Sequence, residues 1–230
     1  MIDWAWLGDH LDDLASRTLQ HLYLTTLSVS IGFVIAFGLA VWSIRRRAVY
    51  RPILGITGLL YTIPSLALFP LLVPITGLTD LTAITPLVLY SLLIFVRNFV
   101  AGFDAVPSDI LEAADGVGYS VRGRFWSIEV PLAVPLIVAG LRLATVSTIA
   151  LVNISGLLGD RFGGLGFFIF EGIRHSFPTE IFMGGLGSIA LAIVMDTALL
   201  AIQGRLTPWT AARVPVGVPG SADRQPVATP

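Results

Sequence analysis

Few of the 230 residues carry groups capable of covalent chemistry, and the types present exclude most enzymes. There is no Cys, which rules out a thiol nucleophile, a thiolate metal site and disulfides. All fourteen basic residues are Arg. Without Lys, neither a phosphate-binding loop with its Lys nor a Schiff base can form, so the chain cannot hydrolyse ATP in the usual way. His10, His21 and His175 are scattered without metal-ligand spacing. Two patterns remain. Arg97, Arg142 and Asp196 interrupt otherwise uncharged apolar runs, and a polar segment carries Glu112-Ala113-Ala114, Gly118, Ile128 and Pro131. A membrane-embedded hydrolase would need Ser-His, Asp-Asp or His-Arg groups on facing spans. Here His175 falls outside the apolar runs, and Asp196 is the one carboxylate within them.

The elements that must position these residues are membrane helices. The chain is 55% hydrophobic and 13% charged, with a mean hydropathy of +0.83, which is the composition of a polytopic membrane protein. Charge-free or nearly charge-free runs predict an all-α fold of about five transmembrane helices: Leu22–Ile44, Pro52–Thr79, Leu81–Phe103, Val130–Leu158 and Ile181–Gln203. The second contains Pro64, Pro70 and Pro74 and must be broken or kinked. The Gly- and Phe-rich stretch from Gly159 to Glu180 is too short for another crossing and reads as re-entrant or lying along the surface.

Residues 1–20 are acidic, lack a signal-peptide pattern and read as a retained extracytoplasmic segment. Residues 21–206 form the transmembrane domain. The tail 207–230 holds five Pro in 24 residues and reads as a disordered cytoplasmic end. Arg45, Arg46, Arg47, Arg51, Arg122, Arg124, Arg205, Arg213 and Arg224 fall on one side of this map, against Arg17, Arg161 and Arg174 on the other. The positive-inside rule then puts the N-terminus outside and both the 104–131 loop and the C-terminus in the cytoplasm. A net charge of −1, with no basic run beyond Arg45-Arg46-Arg47, argues against nucleic acid as a partner.

The 104–131 loop has structure of its own. Asp109 followed by Glu112 fits an acidic helix start, predicting a short helix over about Ile110 to Asp115 with Ile110, Leu111 and Ala114 on one side. Gly116 and Gly118 end it. A second amphipathic piece, about Ser120 to Ile128, leads to Pro131 as the first turn of the next span.

The order Glu112-Ala113-Ala114, three residues, Gly118, nine residues, Ile128, one residue, Val130-Pro131 resembles the EAA loop of the permease subunits of bacterial ABC importers, E-A-A-x3-G-x9-I-x-L-P, with Val130 in place of Leu. Further phrases resemble the osmoprotectant branch, which carries glycine betaine, choline and carnitine. They are Thr62-Ile63-Pro64-Ser65-Leu66-Ala67-Leu68, Val96-Arg97-Asn98, Pro131 to Pro135 with Ala139-Gly140-Leu141-Arg142, and Gly163-Gly164-Leu165-Gly166. Two departures stand out: Ile94-Phe95 lies where that branch has a Pro, and Asp115 where a basic residue is common.

The resemblance implies a MetI-like permease fold with a cytoplasmic coupling helix, located in the bacterial inner membrane. It implies no cofactor and no catalytic role, since ATP is hydrolysed by a separate ATPase dimer. The other implied partners are an extracytoplasmic substrate-binding protein and a second permease, identical or related. By position, Glu112, Ala113, Ala114, Gly118, Ile128 and Pro131 would transmit ATPase motion, with the Ala pair for close packing, Gly118 for the turn and Glu112 for capping or a polar contact. An importer for another small solute such as an amino acid, or a stand-alone channel or secondary transporter working without ATP, is the competing reading.

Within the membrane, Arg142 lies eleven residues past Pro131 and Asp196 nine before Arg205, depths of roughly 16 Å and 13 Å at helical rise. An unpaired charge there is costly, which predicts that the two face the interior and neutralise each other, with Arg97 as a competing partner. A quaternary amine has no N–H, so its partners are aromatic faces and carbonyl oxygens. Tyr61, Phe69 and Tyr90, with Pro64 and Ser65 at the break, are therefore candidates for the path, and Gly164 and Gly166 for an external gate or a tight turn.

Overall fold

The computed structural model describes residues 3–210; the tail from 211 on, expected to be disordered, lies outside them. The described chain is all-helical. A first short helix, α1 (Trp4–Asp9), starts on Asp3, whose carboxylate accepts from the N–H groups of Ala5 and Trp6 at 3.0 and 3.1 Å. Helix α2 (Leu11–Arg45) follows. At 35 residues it is about 52 Å long, well beyond the roughly 30 Å of a hydrocarbon core. No break separates residues 11–20 from the first span, so the segment boundary expected at residue 20 is not a structural one.

Helix α2 buries a stripe of mostly small residues, Thr25, Ser28, Gly32, Ala36, Ala40 and Ser43, where it packs on α5 (Asp80–Asp104) and on the helix that follows the 104–131 loop. A Cβ on Gly32 would collide with the Ser91 hydroxyl, so the two backbones approach as closely as glycine permits. Helix α5 is the central post, buried along most of its length. Between α2 and α5 runs a ladder of rings: Phe33 to Phe99 at 5.0 Å, Phe95 to Phe99 at 5.2 Å and Phe37 to Phe103 at 6.1 Å. It continues from Phe103 to Phe125 at 5.6 Å, tying the membrane core to the 104–131 loop.

The second predicted span is two helices, α3 (Arg47–Thr62) and α4 (Ser65–Thr76), which meet at 94°. Of Pro64, Pro70 and Pro74, one makes the break. Ile63 is extended (φ −63°, ψ 128°) before Pro64, while Pro70 and Pro74 stay within α4 on its exposed side.

After the loop helices α6 (Ser108–Gly116) and α7 (Val121–Arg124), a π-helical turn (Phe125–Glu129) runs straight into α8 (Val130–Ser155). Although the π-helical turn runs into that helix without a break, Pro131 lies in its first turn, as expected. The backbone widens just ahead of it, where its ring would otherwise meet the carbonyl four residues back. Helix α8 packs against α5 through Gly140, where a Cβ would come 2.6 Å from that of Asn98. Helix α9 (Gly166–Arg174) is too short to cross and packs on α8 and on α10 (Pro178–Leu206), which lies at the edge of the bundle with most of its length uncovered. Among the described residues four helices are long and apolar enough to cross a membrane, and the bent pair α3–α4 makes a fifth.

Candidate functional site

The residues singled out in the sequence fall in three places. The first is the loop at the end of the bundle where α2 and α3 meet. Its helix α6 begins two residues earlier than predicted, with Pro107 at the cap and no side-chain capping bond. Asp109 sits in the first turn, where the helix dipole favours a negative charge. Glu112 makes no capping contact and projects into the open, because Pro107 and Ser108 already turn the chain into the helix.

Of the Ala pair, Ala114 is buried against its own chain, and Ala113 faces outward. The helix ends in a Schellman motif. Gly118 takes φ +93°, its N–H donates to the Asp115 carbonyl at 3.0 Å, and the Tyr119 N–H reaches back to the Ala114 carbonyl at 3.1 Å. Nothing lies within 4 Å of where a Gly118 Cβ would point, so the demand for glycine is purely conformational.

Arg124 braces this turn, bonding Asp115 on one side and Glu129 at 3.0 Å on the other. The acidic Asp115, a departure from the branch pattern, thus has a local partner. Ile128 and Pro131 are half-buried where the π turn enters α8. Around α6 the apolar side chains of Val117, Tyr119 and Val121 stand exposed, Val117 to 81%.

The second place is the bend between α3 and α4. Tyr61, Pro64, Ser65 and Tyr90 converge there on an open cavity of about 450 Å³. Tyr61 and Tyr90 meet edge to face with ring centroids 5.7 Å apart, and the Tyr90 hydroxyl donates to the Ile63 carbonyl at 2.5 Å. Phe69 does not join them; it is fully buried in a core cluster with Leu24, Leu87 and Val152. The wall is completed by Thr62 and by Ser147 of α8, which sequence reasoning passed over. Hydroxyl residues inside a span were the available signal, but Thr145 and Thr148 carry the same signal and are buried elsewhere.

The third place is the α8–α10 contact, where Arg142 and Asp196 form a two-pronged ion pair. Nε donates to Oδ1 and Nη2 to Oδ2, each at 2.8 Å. The side chains remain 28% and 34% exposed, so the pair lies at the rim of the bundle rather than in its interior, because α10 is an edge helix. Arg97 is exposed and makes no ion pair among the described residues, so it does not compete for Asp196.

Gly164 and Gly166 sit apart from the cavity, in a tight joint at the opposite end of the bundle from the loop. Gly164 has φ +48°, donates its N–H to Gln20 Oε1 at 2.9 Å, and would bring a Cβ within 2.8 Å of that of His21. Gly166 lies so close to the Asn153 backbone that any Cβ would overlap it. His21, dismissed in the sequence as a scattered histidine, is fully buried at the centre of this joint. Its Nδ1 accepts from the Leu165 N–H at 3.3 Å, and its Nε2 lies 3.1 Å from the Ile149 carbonyl, so the ring is neutral with the proton on Nε2. Asn153 bonds the Ser188 hydroxyl at 2.7 Å and ties α10 to the same joint.

Known proteins are similar to this chain. Residues 28–211 match the family model described as binding-protein-dependent transport system inner membrane component. The chain is 38% identical to the osmoprotectant import permease protein OsmW of Salmonella typhimurium, over 88% of this chain and 96% of that one. It is 32% identical to the glycine betaine/carnitine/choline transport system permease protein OpuCB of Bacillus subtilis, over 85% and 89%. Among solved structures, an inward-facing form of the MetNI methionine ABC transporter superposes with a TM-score of 0.68 at 19% identity, covering 85% of this chain and 95% of that one, a likeness of fold. Long apolar helices, the broken span, the loop pattern and these matches agree: the chain belongs to the binding-protein-dependent transport system inner membrane components, as a multi-pass permease of the inner membrane.

Proposed function

We propose that this chain is the membrane-spanning subunit of an ATP-driven importer for quaternary-amine osmoprotectants such as glycine betaine, choline and carnitine. The observation that carries the reading is near full-length similarity to permeases named for those solutes. The chain supplies a path and a lever. ATP is hydrolysed by a separate ATPase dimer, and solute is delivered by an extracytoplasmic binding protein.

In this reading the 104–131 loop faces the cytoplasm with the C-terminus, the N-terminus lies outside, and a second permease, identical or related, completes the path. The exposed face of α6, with Glu112, Ala113, Val117 and Tyr119 around it, docks on the ATPase. The Schellman turn at Gly118 and the Arg124 bridge keep that helix rigid, so movement of the ATPase enters α8 through Ile128 and Pro131 and the Phe103–Phe125 stack. The Arg142–Asp196 pair holds α10 on α8 at mid-span, a structural role.

Reconstitution of the full complex in proteoliposomes tests the proposal. Uptake of radiolabelled glycine betaine, choline or carnitine should require ATP inside the ATPase-facing compartment and the binding protein on the other side. Uptake that persists without ATP would make the chain a channel or secondary transporter.

A further inference from the structure

The cavity at the α3–α4 bend has walls of a particular chemistry. Its volume of about 450 Å³ falls within the roughly 300–1,000 Å³ of small-molecule sites. It is lined by Tyr61 and Tyr90, by the hydroxyl residues Thr62, Ser65 and Ser147 and by apolar side chains including Ala150 and Leu151, with no charged side chain. Helix α3 ends here. Of its last four carbonyls, that of Leu59 accepts from the Thr62 hydroxyl at 2.7 Å and that of Leu60 from the Ile63 N–H at 3.4 Å. The carbonyls of Tyr61 and Thr62 lie past the end of the ladder, and Pro64 has no N–H to close them. Tyr90 is buried and locked onto the Ile63 carbonyl, whereas Tyr61 is 45% exposed. Tyr90 stands ten residues from Asp80 and fourteen from Asp104, or about 15 and 21 Å from the two ends of α5, which puts the cavity near the middle of the span.

Ring faces and carbonyl oxygens without a carboxylate attract a cation whose charge is spread over alkyl groups and which has no N–H to satisfy. Conduction needs binding favourable enough to enter and weak enough to leave, which neutral ring faces and carbonyl oxygens supply without a fixed counter-charge. Broken helices at mid-membrane, with carbonyls freed toward a cavity, are a recurrent way to build such a site. We infer that this cavity is a transient binding site for the quaternary ammonium group of the solute as it crosses, with Tyr61 supplying the exposed ring face and Tyr90 bracing it from behind. The inference rests on the osmoprotectant reading and adds a recognition step within the permease, beyond that of the binding protein.

The test uses the complete reconstituted transporter and reads two quantities, uptake of radiolabelled choline and glycine betaine, and ATP hydrolysis stimulated by the loaded binding protein. Tyr61→Leu should lower uptake about tenfold while stimulated hydrolysis is retained, and Tyr61→Phe, which keeps the ring face, should stay within about twofold of wild type. Ser147→Leu, which fills the cavity from α8, should repeat the Tyr61→Leu pattern and serves as a second probe if Tyr61→Leu fails to assemble. Wild-type uptake in both Tyr61→Leu and Ser147→Leu, or equal losses in Tyr61→Leu and Tyr61→Phe, would overturn the site while leaving the osmoprotectant reading intact. No uptake of choline, glycine betaine or carnitine by wild type, with hydrolysis still stimulated, would overturn the osmoprotectant reading and this inference with it.

Discussion

The two ends of the bundle are held together in opposite ways. In the 104–131 loop the fixing contacts of the α6 turn are local and at least partly exposed: the N–H groups of Gly118 and Tyr119 bond back three and five residues, and Arg124 reaches Asp115 and Glu129, nine and five residues away. In the joint at the other end they are distant and buried, with His21 reaching Ile149 across 128 residues and Leu165 across 144. A short segment braced by its own neighbours can hold its shape while presenting an open surface to another protein. A joint assembled from remote helices can exist only when the whole bundle is formed.

Substitutions at the two ends should therefore differ in kind. Gly166→Val should have the largest effect, about 3 kcal/mol or more, because every added atom meets the Asn153 backbone. It should abolish recovery of monodisperse protein from detergent. His21→Leu leaves the Leu165 N–H buried and unpaired and takes one partner from the Ile149 carbonyl, and should cost about 1–3 kcal/mol, read as a lowered melting temperature in micelles. Gly118→Ala should cost about 1–2 kcal/mol through its left-handed backbone alone, leaving the protein extractable but reducing ATPase-coupled uptake. Arg47→Gln, which breaks an exposed pair with Asp104, should change the melting temperature least, within about 1 kcal/mol. A Gly118 variant as hard to fold as a Gly166 variant would erase the contrast between the two ends.

The same contrast decides what could be read in the sequence. The spans were legible because a bilayer demands long charge-free runs, and the broken second span because three prolines cannot all be accommodated silently. Which proline breaks it was not legible. Pro64, Pro70 and Pro74 each disfavour helix at the preceding residue, yet only Ile63 leaves it, where its carbonyl meets the Tyr90 hydroxyl of α5. Gly118 was legible because a helix stop is a local event. Depth counted from Pro131 and Arg205 already set Arg142 beside Asp196, while their place at the rim depended on α10 being an edge helix, which no local pattern encodes. Phe69 illustrates the same limit, since its ring type suited a path and its neighbours made it core. His21 was passed over because its partners are backbone groups, which every residue has.

The most direct test measures ATP hydrolysis and radiolabelled glycine betaine uptake together in the reconstituted complex, with wild-type chain and with Gly118→Asp at equal membrane abundance. Wild type should couple the two, and Gly118→Asp should lose uptake as the permease loosens its hold on the ATPase. Equal ATP-dependent uptake by both proteins would contradict the assignment of the loop as the lever, and wild-type uptake that ignores ATP would contradict the importer itself.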